Sequence, residues 1–129
     1  MNPPNRTPEA AARPYVPGLV AHGDLIFVSG QIPLRDGRIV DDSIETQVEA
    51  VLANIESILE DAGASLRDVV RCGVYLANLQ DLPRVNTVYA RAFGDKLPTR
   101  TTVGVMLPGY GVEIDCIAVL PSKRPPVSS

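Results

Sequence analysis

Two charged residues on apolar strands, Arg100 and Glu113, carry the best chemical prospects in this 129-residue chain. Arg100 stands in Leu97-Pro98-Thr99-Arg100-Thr101-Thr102-Val103, at the mouth of a β-branched run. Glu113 lies in Gly111-Val112-Glu113-Ile114-Asp115-Cys116-Ile117-Ala118-Val119. A charge in such surroundings is costly to bury unless something pairs with it. The planar fork of an arginine can hold a small carboxylate at two points. A glutamate in the same half-dry pocket can steer a water or a proton. Strand alternation puts Arg100, Thr102 and Gly104 on one face, so the arginine stands beside a small hydroxyl and a residue without a side chain, which leaves room for a small ligand. Asn86 falls on the flank of a helical apolar stripe. Ser29-Gly30-Gln31 ends a buried strand, where freed backbone N–H groups bind an anion or a carbonyl oxygen.

Each of these residues has a plainer reading in isolation. Arg100 would be a rim ion-pair partner and Glu113 its salt-bridge mate. Ser29 would be a strand-end turn residue and Asn86 a helix-flank hydrogen bonder, with Tyr15 anchoring an N-terminal arm. Only the combination favours a site. The other candidates fall away. The single histidine, His22, lies in the turn signal Ala21-His22-Gly23-Asp24, so a Ser-His-Asp or Cys-His engine is discounted. Cys72 and Cys116 sit inside strand patterns and read as small buried hydrophobes rather than a disulfide. Two cysteines and one histidine supply no zinc cage, so no metal is expected.

The elements that must position these groups are readable from periodicity. Leu19-Val20-Ala21 and Leu25-Ile26-Phe27-Val28-Ser29, bridged by His22-Gly23-Asp24, read as a β-hairpin, and Arg35-Asp36-Gly37-Arg38 as a turn. Asp42 with Glu45 opens a helix as a capping-box analogue. Val48, Val51, Leu52, Ile55 and Leu59 recur at helical spacing, Glu49, Glu56 and Glu60 face away, and Gly63 caps the end. Val70, Cys72, Val74 and Leu76 alternate as a strand. Asp81 and Pro83 start a second helix with Val85, Val88, Tyr89, Ala92 and Phe93 inward, stopped near Gly94. Two last strands, about 100–106 and 112–120, are joined by Leu107-Pro108-Gly109-Tyr110. The order is β-β-α-β-α-β-β, an α+β subunit with two helices on one face of the sheet. The other face still carries Ile117 and Val119 beside Glu113 and Asp115, so another subunit is expected to close it.

The chain is long enough for one domain with a real core. A single domain over 15–121 is expected, with a loose Pro/Ser-rich arm at 1–14 and a tail at 122–129. Fifteen Asp+Glu oppose 12 Lys+Arg, and no basic block appears, so nucleic acid is not an electrostatically favoured partner. No apolar run approaches the length needed to cross a bilayer. Residues 1–14 lack an apolar signal core, so a cytoplasmic protein is expected.

At these residues the chain resembles the RidA family, also called YjgF/YER057c/UK114. The matching pieces run from about Tyr15 to Leu120: Pro14-Tyr15, Phe27-Val28-Ser29-Gly30-Gln31-Ile32-Pro33, Gln47 with Asn54-Ile55, Val74-Tyr75-Leu76 then Asp81, Val85-Asn86 with Tyr89, Pro98-Thr99-Arg100 and Val112-Glu113-Ile114. The ordered set is more specific than any of its parts. The resemblance implies a chorismate-mutase-like subunit with a mixed sheet, assembled as a homotrimer with ligand clefts between subunits. It also implies hydrolysis of reactive 2-enamine and 2-imine acids to 2-oxoacids and ammonia, without a cofactor. Position by position, Arg100 would clamp the substrate carboxylate and Glu113 would orient the attacking water. Tyr15, Ser29, the Gly30 backbone, Asn86 and Thr102 would line the cleft. The chain departs from the family pattern at three places: Thr102 stands where Cys is common, Arg13 where Gly commonly precedes Pro-Tyr, and the Met106-to-Gly111 turn diverges. A non-enzymatic carboxylate or 2-ketoacid binder is the competing reading; a ribonuclease has much less behind it.

Overall fold

The computed structural model describes residues 13–122. Most of the expected arm and tail therefore lies outside the described residues. Of the arm's described end, Pro14 is buried against the domain.

Among the described residues, six strands and two α-helices follow in order: β1 Leu25–Gln31, β2 Leu34–Arg35, β3 Arg38–Ile39, α1 Ile44–Asp61, β4 Val69–Leu76, α2 Leu82–Phe93, β5 Thr99–Gly104 and β6 Val112–Val119. The main sheet runs β1-β6-β4-β5. β6 is antiparallel to both β1 and β4, while β4 and β5 are parallel. A parallel pair needs a crossover, and α2 supplies it. The result is an α+β fold with a mixed sheet.

The expected first hairpin does not form. Leu19–Ala21 is not a strand, and Val20 is 96% exposed. Three residues preceding a turn signal have too few ladder bonds to offset their ordering cost, and β1 pairs instead with β6, whose pattern is longer. A small hairpin does exist one turn later, where β2 and β3 pair around Asp36 and Gly37. Both turn residues have positive φ, 53° and 76°, as tight hairpin turns require.

Helix α1 is capped one residue later than expected, by Ser43, whose side chain accepts from the Thr46 N–H; Asp42 accepts in turn from the Ser43 N–H. Its inward stripe is the expected one, with Val48, Val51, Leu52, Ile55 and Leu59 buried, and Gly63 follows with a φ of +88°. On α2, Val85, Val88, Tyr89 and Phe93 are buried, whereas Ala92 is exposed at the rim. In β4, Val69 rather than Val70 enters the core, because an extra residue lies between the pairs Val69–Ala118 and Arg71–Ile117. Such a bulge shifts the alternation by one.

Both helices pack on the face formed by Cys72, Val74, Leu76, Val112, Ile114, Cys116 and Ala118. Burying each large aliphatic there contributes about 1.5–3 kcal/mol. The opposite face is uncovered in a single chain: Phe27 is 71% exposed and Leu25 53%, beside half-buried Ile117 and Val119. Among the described residues, no helix is long and apolar enough to cross a membrane.

Candidate functional site

The parallel register of β4 and β5 decides where Arg100 points. Cys72 pairs with Arg100, and Val74 with Thr102. Neighbours across a ladder share a face, so Arg100 and Thr102 stand on the helix side, at the sheet edge beyond the core. There Arg100 lies between two aromatic rings, its guanidinium carbon 4.8 Å from the Tyr89 ring centre and 5.4 Å from that of Tyr15. Tyr15 is held in place because the Val16 N–H donates to the Pro98 carbonyl at 3.1 Å.

A cavity of about 370 Å³ opens here, lined by Arg13, Pro14, Tyr15, Leu82, Asn86, Arg100 and Thr102. Its polar walls are unsatisfied. The Nε and Nη1 of Arg100, the Oγ1 of Thr102 and the Oδ1 of Asn86 are all buried without a hydrogen-bond partner. Buried polar atoms are nearly always paired, so several orphans converging on one cavity describe the outline of a ligand with both acceptors and donors. Burial lowers the Arg100 pKa from its ordinary value, and a bound carboxylate would relieve that penalty. Burial also drives the Tyr89 phenol well above its usual range, so the ring beneath Arg100 stays neutral.

Glu113 is elsewhere. It pairs with Tyr75 across β4 and β6, which puts it on the open face with Asp115. One chain therefore holds Arg100 and Glu113 on opposite faces of its sheet, and does not bring them into a single pocket. Parity along one strand cannot reveal this, because the face each strand's set adopts depends on register with its neighbours. Ser29 and Gly30 go with Glu113. β1 carries a register shift between Val28 and Gln31, and the Glu113 side chain lies across Gly30 where a Cβ would be. The Tyr110 hydroxyl donates to Glu113 Oε1 at 3.4 Å, and burial together with Glu113 raises the Tyr110 pKa.

The seven expected site residues thus fall into two groups, Tyr15, Asn86, Arg100 and Thr102 on one side and Ser29, Gly30 and Glu113 on the other. Sequence reasoning missed two contributors. Tyr89 looked like core alone, although its buried ring backs the Arg100 guanidinium. Tyr110 sits in a turn with no periodic signal. The network around Asp115 also went unread: its Oδ1 accepts from the Gly73 N–H at 3.0 Å and its Oδ2 from the Tyr75 hydroxyl at 3.0 Å, with Arg71 at 3.7 Å. A glycine inside a strand was the available hint.

The family model described as Endoribonuclease L-PSP matches residues 5–120. The chain belongs to this family, known also as YjgF or Rid. A RutC family protein from Pyrococcus abyssi is 45% identical over 101 residues, 75% of this chain and 80% of that protein. The crystal structure of Rv2704 from Mycobacterium tuberculosis, a YjgF/YER057c/UK114 member, matches with a TM-score of 0.67 at 34% identity, over 77% of this chain and 81% of that one. YyfB of Yersinia pestis, from the Rid protein family, matches with a TM-score of 0.81 at 26% identity, covering 93% and 96%. These likenesses give the Rid-family chain its α+β fold and a broad Rid-like role.

Proposed function

We propose that this protein is a 2-imino acid deaminase working at clefts between the subunits of a homotrimer, in which one subunit supplies Arg100 and its neighbour supplies Glu113. The observation that carries this reading is the set of unsatisfied polar atoms around Arg100, shaped for a small carboxylate. An imine carbon is already electrophilic, so catalysis reduces to positioning and proton management. Arg100 fixes the substrate carboxylate through two N–H donors. Glu113 takes a proton from a water as its oxygen bonds to the imine carbon. That proton passes to the nitrogen to complete the carbinolamine, which then collapses: the hydroxyl proton follows by way of Glu113 to the same nitrogen, the C–N bond breaks, ammonia leaves and the C–O bond becomes the carbonyl of a 2-oxoacid. None of these steps calls for a cofactor.

Arg100→Ala removes the clamp and should cost about 2–5 kcal/mol of transition-state binding. The test is ammonia release from 2-iminobutanoate generated freshly by an amino-acid oxidase. Acceleration by the wild-type protein, lost in R100A with the oligomer intact by size exclusion, is the expected result; an equally active R100A refutes the site.

A non-enzymatic small-carboxylate or 2-ketoacid binder is the second reading, favoured by one observation: the Arg100 half is complete within one chain, without Glu113. Saturable 2-ketoacid binding with no imine turnover would select it. A ribonuclease finds little support, since His22 borders a different cavity with Leu19, Val20 and Lys96.

A further inference from the structure

A second arginine borders the cavity at Arg100. Arg13 lines it together with Tyr15, Leu82, Asn86, Arg100 and Thr102, and it is not carried there by a loose arm. Pro14 is buried, the Tyr15 ring lies against Arg100, and the Val16 N–H is tied to the Pro98 carbonyl. The backbone is thus fastened within three residues of Arg13. Among the described residues, no carboxylate lines this cavity and none pairs with Arg13. Two arginines at one small space are like charges whose mutual repulsion is lifted by an anion that meets both. A 2-imino acid with one carboxylate satisfies Arg100 and leaves Arg13 unanswered.

We propose that the site prefers 2-imino diacids, with the carboxylate next to the imine on Arg100 and the distal carboxylate on Arg13, which thereby determines specificity. This rests on the deaminase reading for its chemistry, though not for its geometry. A cavity of about 370 Å³ accommodates a five-carbon diacid within the usual range of small-ligand sites. The amine-oxidising reactions that consume acidic amino acids are the class that would supply such imines.

The experiment compares two five-carbon imines made in place by amino-acid oxidases, 2-iminoglutarate from glutamate and 2-iminopentanoate from norvaline. The ratio of their kcat/KM values should fall about five- to tenfold in Arg13→Ala, mainly through KM for the diacid. It should fall further in Arg13→Glu and be largely kept in Arg13→Lys. Calorimetry with 2-oxoglutarate and 2-oxopentanoate reads the same preference without turnover. A ratio unmoved by Arg13→Ala, or both substrates weakening in proportion, overturns the proposal. So does a variant that loses only its oligomer while keeping its ligand preference, which makes Arg13 an intersubunit ion-pair partner. If the wild-type protein deaminates neither imine yet binds the 2-oxo diacid through Arg13, the deaminase reading fails and the diacid pocket stands. Turnover of 2-iminopentanoate with no role for Arg13 means the opposite: the deaminase stands and the diacid pocket falls.

Discussion

At the scale of single residues, the contact between Gly30 and Glu113 is the most exacting in the molecule. The Glu113 carboxylate occupies the space that any side chain at position 30 would need, while Tyr110 holds its other oxygen from the opposite flank. Gly30→Ala should leave the fold standing, since residue 30 is exposed and lies outside the core, but must push Glu113 aside. A displacement of about 1 Å in a catalytic group can cost on the order of a hundredfold, so kcat for imine hydrolysis should drop by about ten- to a hundredfold with unchanged thermal unfolding. Normal kcat in G30A would show that Glu113 is not held there for catalysis. Strand alternation put Arg100 and Thr102 on one face, and they do share a cavity; Tyr15 and Asn86 were brought to it only by the family resemblance, because neither residue's local pattern places it there. The role of Tyr110 was not legible, since a turn residue has no partner readable from spacing.

Among the elements, α1 does more than cover the sheet. Gln47 accepts from the Gly111 N–H at 2.8 Å, one residue before β6 begins. One helical stretch further on, Asn54 donates to the carbonyls of Ile32 and Leu34 at 3.2 and 2.9 Å, just beyond β1. The helix thereby fastens the segments that flank Glu113 and Gly30. Asn54→Ala removes a donor from both carbonyls, of which Ile32's keeps the Leu34 N–H at 2.7 Å, and should destabilise the fold by about 1 kcal/mol, read as a lower urea midpoint; an unchanged midpoint would mean water replaces the amide at no cost. Helical periodicity was strong enough to give both helices and their inward residues, Ala92 excepted. Strand reading was weaker in two places, Leu19–Ala21 and the Val69–Val70 bulge, where pairing partners rather than local pattern decide the outcome. Glu113 lies on the open face, as its strand pattern had it, but the same dependence on partners hid the face that Arg100 takes.

For the molecule as a whole, the separation of the two half-sites has a test that single variants cannot provide. R100A and E113A should each be inactive alone. In the proposed trimer, co-expression gives mixed assemblies in which an intact Arg100 can meet an intact Glu113 from the next subunit, so random assembly should restore about a quarter of wild-type activity by symmetry. No recovery in verified mixed oligomers would argue that one chain supplies both groups. The core underneath offers its own gauge. Cys72 and Cys116 stand directly opposite each other on β4 and β6, both buried, and burial raises their pKa values from 9.0 to about 11 and about 12. Because the folded thiols hold their protons more tightly than unfolded ones, their contribution to stability is whole below pH 9. It drains away as pH climbs through about 11 to 12. Wild-type protein should therefore lose stability over that alkaline span more steeply than Cys72→Ala, as followed by denaturant titrations at stepped pH. At neutral pH the same pair is silent toward alkylating reagents until the domain opens. The rate at which iodoacetamide marks these two sulfurs then becomes a clock for that opening, ticking more slowly when a ligand or a neighbouring subunit holds the sheet shut.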